Sequence, residues 1–338
     1  MKFPANIGNT TEKAVFQTAD LLWQDVAGMV EQLIAAPEEN CVYAVLKSGV
    51  SGNAVVAVKN ADGAVVWSYH LWVADFDPDA NVMTWTDSES GTSYKMMDRY
   101  VGAVSNQPGS DLSNGLFYQW GRKDPFVNAD GTESSVYVAK YDIDGNRVRE
   151  VSEERPTYPS SDYESTNLQL AIQNPTIFYT APSSSYPVQD WLTDDAQRQD
   201  HDLWGGVSGY KTKYDPCPEG WKVPVAGAPW GFRSEYRKTG GLQDDGAYDA
   251  TAPWYCDYVN DNGFRYKQAD SGKEYWFPFT GKKDVVTGVL NGVGSGANYH
   301  TATRQNTLAI MELFAWGNPA SETGLNRPYG SSVRCIKE

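Results

Sequence analysis

Apolar residues recur along this chain in short runs that change period several times. Between Thr18 and Ala36 they fall at Leu21, Leu22, Val26, Met29, Val30, Leu33 and Ile34, a spacing that predicts a helix. Three following runs alternate as strands do: Cys41 to Leu46, Ala54 to Val58 and Ala64 to Val73. The last two are joined by Lys59-Asn60-Ala61-Asp62-Gly63, whose Asp-Gly pair predicts a hairpin. Asp75 to Ser90 reads as a loop, Tyr94 to Val101 as a strand, and Asp111 to Trp120 as a short helix. Residues 127 to 200 hold hairpin-like stretches around Asp142-Ile143-Asp144-Gly145 and a Ser/Pro-rich loop, which reads as an irregular surface insertion. Glycine-rich sequence follows and turns helical over Gly231 to Lys238. Short strands are then expected at Tyr275 to Phe277, Leu308 to Phe314 and Ser331 to Ile336. There is no repeat period and no heptad pattern. The fold class expected is α+β with many irregular loops. A β-rich N-terminal segment (1–85) leads into a C-terminal domain (86–338) that carries the insertion near 127–200.

Charge and composition narrow the function. The 338 residues include 28 Lys and Arg against 43 Asp and Glu, a net charge of −15. Such a surface repels phosphate backbones, so nucleic acid is not an expected partner. No apolar run approaches the roughly 18 residues of a membrane span. Met1-Lys2-Phe3-Pro4 leads straight into polar sequence, so no signal peptide is read. That start fits a cytosolic protein, or an exported one without its leader. The four cysteines, Cys41, Cys217, Cys256 and Cys335, are far apart and form no CxxC, which excludes a zinc ribbon.

Catalytic signatures are missing. There is no Gly-x-Ser-x-Gly and no Walker loop, and Gly292-Val293-Gly294-Ser295-Gly296 reads as a flexible turn. Of the three histidines, His70 sits in an alternating strand and reads as structural; His201 begins a surface turn. Asp75, Asp77, Asp79 and Asn81 alternate like the start of a calcium loop. The central Gly and closing Glu are lacking, however, and Pro78 interrupts, so a solvated turn is expected. The expectation is neither an enzyme nor a holder of metal or cofactor. Most of the 12 Trp are flanked by apolar residues and read as core, Trp120 and Trp221 among them.

A set of strings then occurs in order. Met97-Asp98-Arg99-Tyr100-Val101-Gly102-Ala103 is followed by Gly115-Leu116-Phe117-Tyr118-Gln119-Trp120-Gly121-Arg122-Lys123-Asp124-Pro125-Phe126. Tyr214-Asp215-Pro216-Cys217-Pro218-Glu219-Gly220-Trp221-Lys222-Val223-Pro224 comes next, then Phe277-Pro278-Phe279-Thr280-Gly281, and finally Gly330-Ser331-Ser332-Val333-Arg334-Cys335-Ile336-Lys337-Glu338. The set resembles the Fibrobacter succinogenes major paralogous domain, in the version found at the C-terminus of fimbrillin-family surface proteins of gut Bacteroidales. Gly52 to Val58 and Trp67 to Trp72 resemble the segment that precedes the domain there. The resemblance covers the chain from about residue 50 onward.

That resemblance implies a C-type-lectin-like fold in which the N- and C-terminal strands of the domain pair. It implies a disulfide between Cys217 and Cys335, which lie in its two cysteine-bearing strings; Cys41 and Cys256 are then expected as buried free thiols. It implies an exported cell-surface or outer-membrane protein: a surface or pilus-tip adhesin, here cut from a longer precursor. Its partners would be a glycan or protein on a host or bacterial surface, together with pilus subunits. The alternative is a structural pilus or anchor subunit without a ligand of its own. Trp316-Gly317-Asn318-Pro319 and Gln173-Asn174-Pro175 depart from the calcium-binding strings of sugar-binding lectins, so calcium-dependent sugar binding is not implied. Nor is there the cysteine pair of formylglycine-generating enzymes. The segment from Asn298 to Tyr329 stands where lectin-like proteins diversified by retroelements carry a variable patch ahead of a fixed last strand. The ligand-binding residues expected there are His300, Thr303, Arg304, Asn306, Trp316, Asn318, Glu322 and Asn326.

Overall fold

The computed structural model describes residues 1–128, 138–156, 163–181, 190–193, 195, 199–206, 208–233, 236–238, 252–259, 262–315 and 318–338. Strands dominate, and among the described residues the single α-helix is Tyr163–Gln173. The expected α+β class is therefore corrected to a β-rich fold.

The N-terminal region stacks two sheets. One has the order Lys2–Pro4, Cys41–Leu46, Val30–Ala36. The other has the order Arg147–Val148, Lys140–Tyr141, Thr18–Gln24, Gly52–Lys59, Val65–Val73. Buried Val42, Ala44, Val56 and Val58 fill the space between them. The segment read as an insertion thus lends a hairpin to this sheet, with Tyr141 opposite Gln24. Its turn is tied by Asp142, whose Oδ1 accepts the N–H groups of Asp144 and Asn146.

The expected helix over Thr18 to Ala36 is two strands, Thr18–Gln24 and Val30–Ala36, with Gly28 in the left-handed region between them. The physical reason is double coverage. The sheet is packed on both faces, so the adjacent Leu21 and Leu22 are apolar on opposite sides. Register shifts at Leu21/Trp23 and Val30/Gln32 add further breaks in the alternation. Together they mimic a helical period.

A two-stranded parallel sheet pairs Val151–Glu154 with Ile177–Thr180, and three larger sheets build the rest. Trp221–Lys222, Ile336–Lys337, Ser93–Met97 and Val82–Thr86 form one, the last of these inside the expected 75–90 loop. Tyr236–Lys238, Trp254–Val259, Gly263–Gln268 and Glu274–Pro278 form the second. The third centres on Gly296–Gln305, Leu308–Ala315 and Asn318–Leu325. The helix expected over Asp111 to Trp120 is a 3-10 turn, Asp111–Ser113, and a strand, Phe117–Gln119. That expected near Gly231 to Lys238 is a 3-10 turn, Ala228–Arg233, and a strand.

Cys217 and Cys335 are bonded, and Cys41 and Cys256 are buried free thiols. Trp120 and Trp221 are buried, as expected. A stacked aromatic cluster underlies the third sheet: Phe277 and Phe314 lie parallel with centroids 5.3 Å apart, and Tyr100 stacks on Tyr299 at 4.6 Å. Among the described residues no helix is long and apolar enough to cross a membrane.

Candidate functional site

Gly296–Gln305, Leu308–Ala315 and Asn318–Leu325 run as one antiparallel meander. Its first turn is closed by Asn306 at φ +52°, a conformation Asn tolerates better than most residues. Arg304, Gln305 and Asn306 are exposed at this tip. Two loops flank it. In one, Gln199 donates from Nε2 to the Thr307 carbonyl at 3.2 Å and to Asp190 at 2.7 Å. In the other, Ala302 donates its N–H to the Pro224 carbonyl at 2.7 Å.

The expected ligand-binding residues divide. Arg304 and Asn306 reach solvent. Thr303 and Glu322 hold the second loop: Thr303 Oγ1 accepts from Ala226 N at 3.0 Å, and Glu322 Oε1 from Gly227 N at 2.9 Å. Glu322 is nevertheless exposed, and Asn326 is half-buried. Asn318 opens the third strand opposite Ala315. Trp316 lies outside the described residues.

His300 is fully buried, so it does not reach a ligand at this face. Its Nε2 donates to the Tyr118 carbonyl at 2.8 Å, and its ring meets Trp204 edge-on at 5.2 Å. Burial pushes its pKa down to about 4. The sequence gives no sign of this, because bulging between His300 and Arg304 breaks the alternation. The imidazole should titrate with a midpoint near 4 in an NMR pH series; a midpoint near the ordinary 6.5 would place it in water.

Sequence reasoning passed over two neighbours. His201, read as a surface residue, accepts at Nδ1 from Arg327 at 2.6 Å. Arg327 is buried, donates to the Asp200 carbonyl at 2.8 Å and lies 4.3 Å over Trp120. Burial first, and then the charges of Arg327 and Arg304, lower the His201 pKa. The charges of Asp200 and Asp190 oppose this, and Asp190 lies 3.5 Å from the Arg327 guanidinium.

Behind Glu322 lies Glu312, its opposite number on the neighbouring strand. Glu312 is fully buried against Arg233, which donates to the Ser321 carbonyl at 3.0 Å. Burial raises the Glu312 pKa to about 8, with the charge of Glu322 adding and that of Arg233 opposing. A carboxyl raised on folding contributes stability that is complete below its unfolded value of 4.5 and is lost as pH rises through 8. His300 acts in the opposite sense: its contribution is present above 6.5 and lost as pH falls through 4. The two partly cancel in the parent protein. In Glu312→Gln the carboxyl contribution is gone, so the stability of the variant relative to the parent should rise by about 1.4 kcal/mol per pH unit between roughly 5 and 8. Denaturant unfolding of both proteins across that range measures the slope, and parallel profiles would contradict it.

Comparison with known protein families, with curated proteins and with solved structures finds no match.

Proposed function

We infer that the chain is an exported surface or pilus-tip adhesin that grips a host or bacterial surface ligand through the tip face around Arg304 and Asn306. The observation that carries this reading is the Arg304 guanidinium, exposed on a fixed hairpin with no ion-pair partner among the described residues. A surface of net charge −15 has many carboxylates with which an exposed Arg could pair, yet none among the described residues does so with Arg304. A pre-positioned, fork-shaped donor beside amide side chains suits a ligand carbonyl or carboxylate group. The rigidity beneath it also supports binding. Thr303, Glu322 and Gln199 fix the flanking loops, so little side-chain and loop entropy is lost when a ligand docks. Strand pairing with a neighbouring subunit is not needed for this role.

The test is a host-glycan and host-protein array probed with the purified chain, followed by titration of any hit. Arg304→Ala combined with Gln305→Ala and Asn306→Gly should weaken binding by about tenfold or more, with unchanged thermal unfolding. The Gly keeps the left-handed turn. Binding by the triple variant equal to that of the parent would remove this face from the function.

A further inference from the structure

A groove of about 820 Å³ opens between the N-terminal residues 1–11 and the loop that carries Pro218, Glu219 and Gly220. We propose that this groove binds a neutral oligosaccharide. Its size lies in the range of built ligand sites. Its floor is the strand Val65–Val73 and the turn after it; Tyr69 and Trp72 leave opposite faces of this strand, so Tyr69 lines one side with Phe3 and Trp72 the other with Phe76. Trp72 and Phe76 are tilted against each other at 5.4 Å, and Phe3 packs on Tyr69 at the same spacing. All four rings are only half-buried.

Two of these rings, Tyr69 and Trp72, are anchored by their polar atoms, while Phe76 carries the Arg99 guanidinium 4.0 Å over its ring. The Tyr69 hydroxyl donates to the Asn6 carbonyl at 3.0 Å, and the Trp72 indole N–H to the Ala103 carbonyl at 3.2 Å. Rigid aromatic bodies fixed in this way suit the C–H faces of sugar rings. Asn9, Thr11 and Glu219 line the same groove and are exposed. The Thr11 hydroxyl can donate or accept toward a sugar hydroxyl, the Glu219 carboxylate accepts, and the Asn9 amide oxygen accepts while its N–H groups hold the Thr212 and Asp215 carbonyls.

Charge selects the sugar. The ammonium group of Lys211, the lysine in the groove, is turned onto Asp215 and onto the carbonyls of Cys217, Pro218 and Trp221. The Met1 ammonium donates to the Ala44 carbonyl, which leaves the exposed carboxylates of Glu219 and Glu338 to repel sialylated or sulfated chains.

An added peptide strand is the competing occupant, and the floor strand argues against it. Asn53 turns its backbone toward Asp25, so its partner Trp72, and with it His70 and Ser68, turn theirs to the open side. Lys123 already occupies the Ser68 carbonyl at 3.3 Å, and the helix Tyr163–Gln173 packs against the same strand. The edge that remains, His70 to Val73, is shorter than an ordinary strand of about five or six residues.

The experiment is calorimetric titration of the whole chain with neutral gluco-, manno-, galacto- and xylo-oligosaccharides, their sialylated or sulfated counterparts, and an extended apolar peptide, each to about 1 mM. The variants are Thr11→Trp, which fills the groove mouth, and Glu219→Arg; both positions are exposed, so both proteins should fold. Saturable binding of a neutral oligosaccharide, weakened about tenfold or more in Thr11→Trp and unaltered in the Arg304 triple variant, supports the proposal. Silence across the neutral panel, preference for the anionic sugars, binding only of the peptide, or neutral-sugar binding undiminished by Thr11→Trp overturns it. Glu219→Arg should admit the anionic sugars that the parent rejects; their continued exclusion would remove the charge argument. Because the two faces carry separate variants, failure of this site leaves the tip-face reading standing, and the reverse.

Discussion

Breaking the Cys217–Cys335 bond should lower the folding free energy by about 5 kcal/mol. The bridge spans 118 residues, and the chain-entropy cost of closing a loop that long in the unfolded state sets the figure. Strain in the native bond or residual order in the reduced unfolded chain would reduce it. The local setting argues for the full effect. Cys335 precedes the strand Ile336–Lys337, Met97 donates its N–H to the Cys335 carbonyl at 2.9 Å, and Arg334 donates from Nε to the Met97 carbonyl at 2.8 Å. Releasing the bond therefore loosens the closing edge of a sheet as well as enlarging the unfolded ensemble. Denaturant unfolding of Cys217→Ser/Cys335→Ser against the parent gives the difference, and the slope should rise because the unlinked chain exposes more surface. A loss under about 1 kcal/mol would mean that the bridge is incidental to the fold.

Phe277→Ala should cost about 4 kcal/mol. Phe277 is fully buried and sits at the hub of the aromatic cluster, parallel to Phe314 and edge-on to Tyr266 and Tyr100. The Arg334 guanidinium lies 3.9 Å over its ring. Truncation leaves a cavity whose walls are other aromatic rings, too stiff to collapse into it, and removes a cation–π partner from a buried charge. Phe277→Leu fills most of the space and should cost about half as much. Thermal and denaturant unfolding of the pair measure both values, and equal costs for Ala and Leu would show that volume is not what matters at this position. Ligand binding at the Arg304 tip should survive in the folded fraction of either variant, since Phe277 is at the opposite end of the meander from the turn.

Strands with one clear period were legible in the sequence. Cys41–Leu46 lies where its alternation places it, and the Asp-Gly turn joins Gly52–Lys59 to Val65–Val73. The segments misread as helices fail for a common reason: period is informative only when one face of an element is wet. Leu21 and Leu22 both find apolar neighbours, on opposite faces, and the register shifts erase what alternation remained. The genuine helix, Tyr163–Gln173, lies in a stretch poor in apolar runs and gave little pattern to read. At the tip, Arg304 and Asn306 were legible because polar residues at a turn stay at a turn. His300 was not, since its burial depends on Tyr118 and Trp204, far away in sequence. The groove was legible only in fragments: Tyr69 and Trp72 stand in a visible strand, but Thr11 and Glu219 join them through the tertiary fold alone.

The strand Ile336–Lys337 lies inside its sheet, between Trp221–Lys222 and Ser93–Met97. Synthesis delivers it after both of its neighbours. At about 5–20 residues per second, Ser93–Met97 waits on the order of ten to fifty seconds for its partner. Through that interval the nascent chain presents an unpaired edge and an uncovered aromatic face, the surfaces by which chains aggregate. Order of manufacture and order of assembly are thus opposed in this protein, and its yield in a cell depends on how well the growing chain is kept from its neighbours before the last strand arrives.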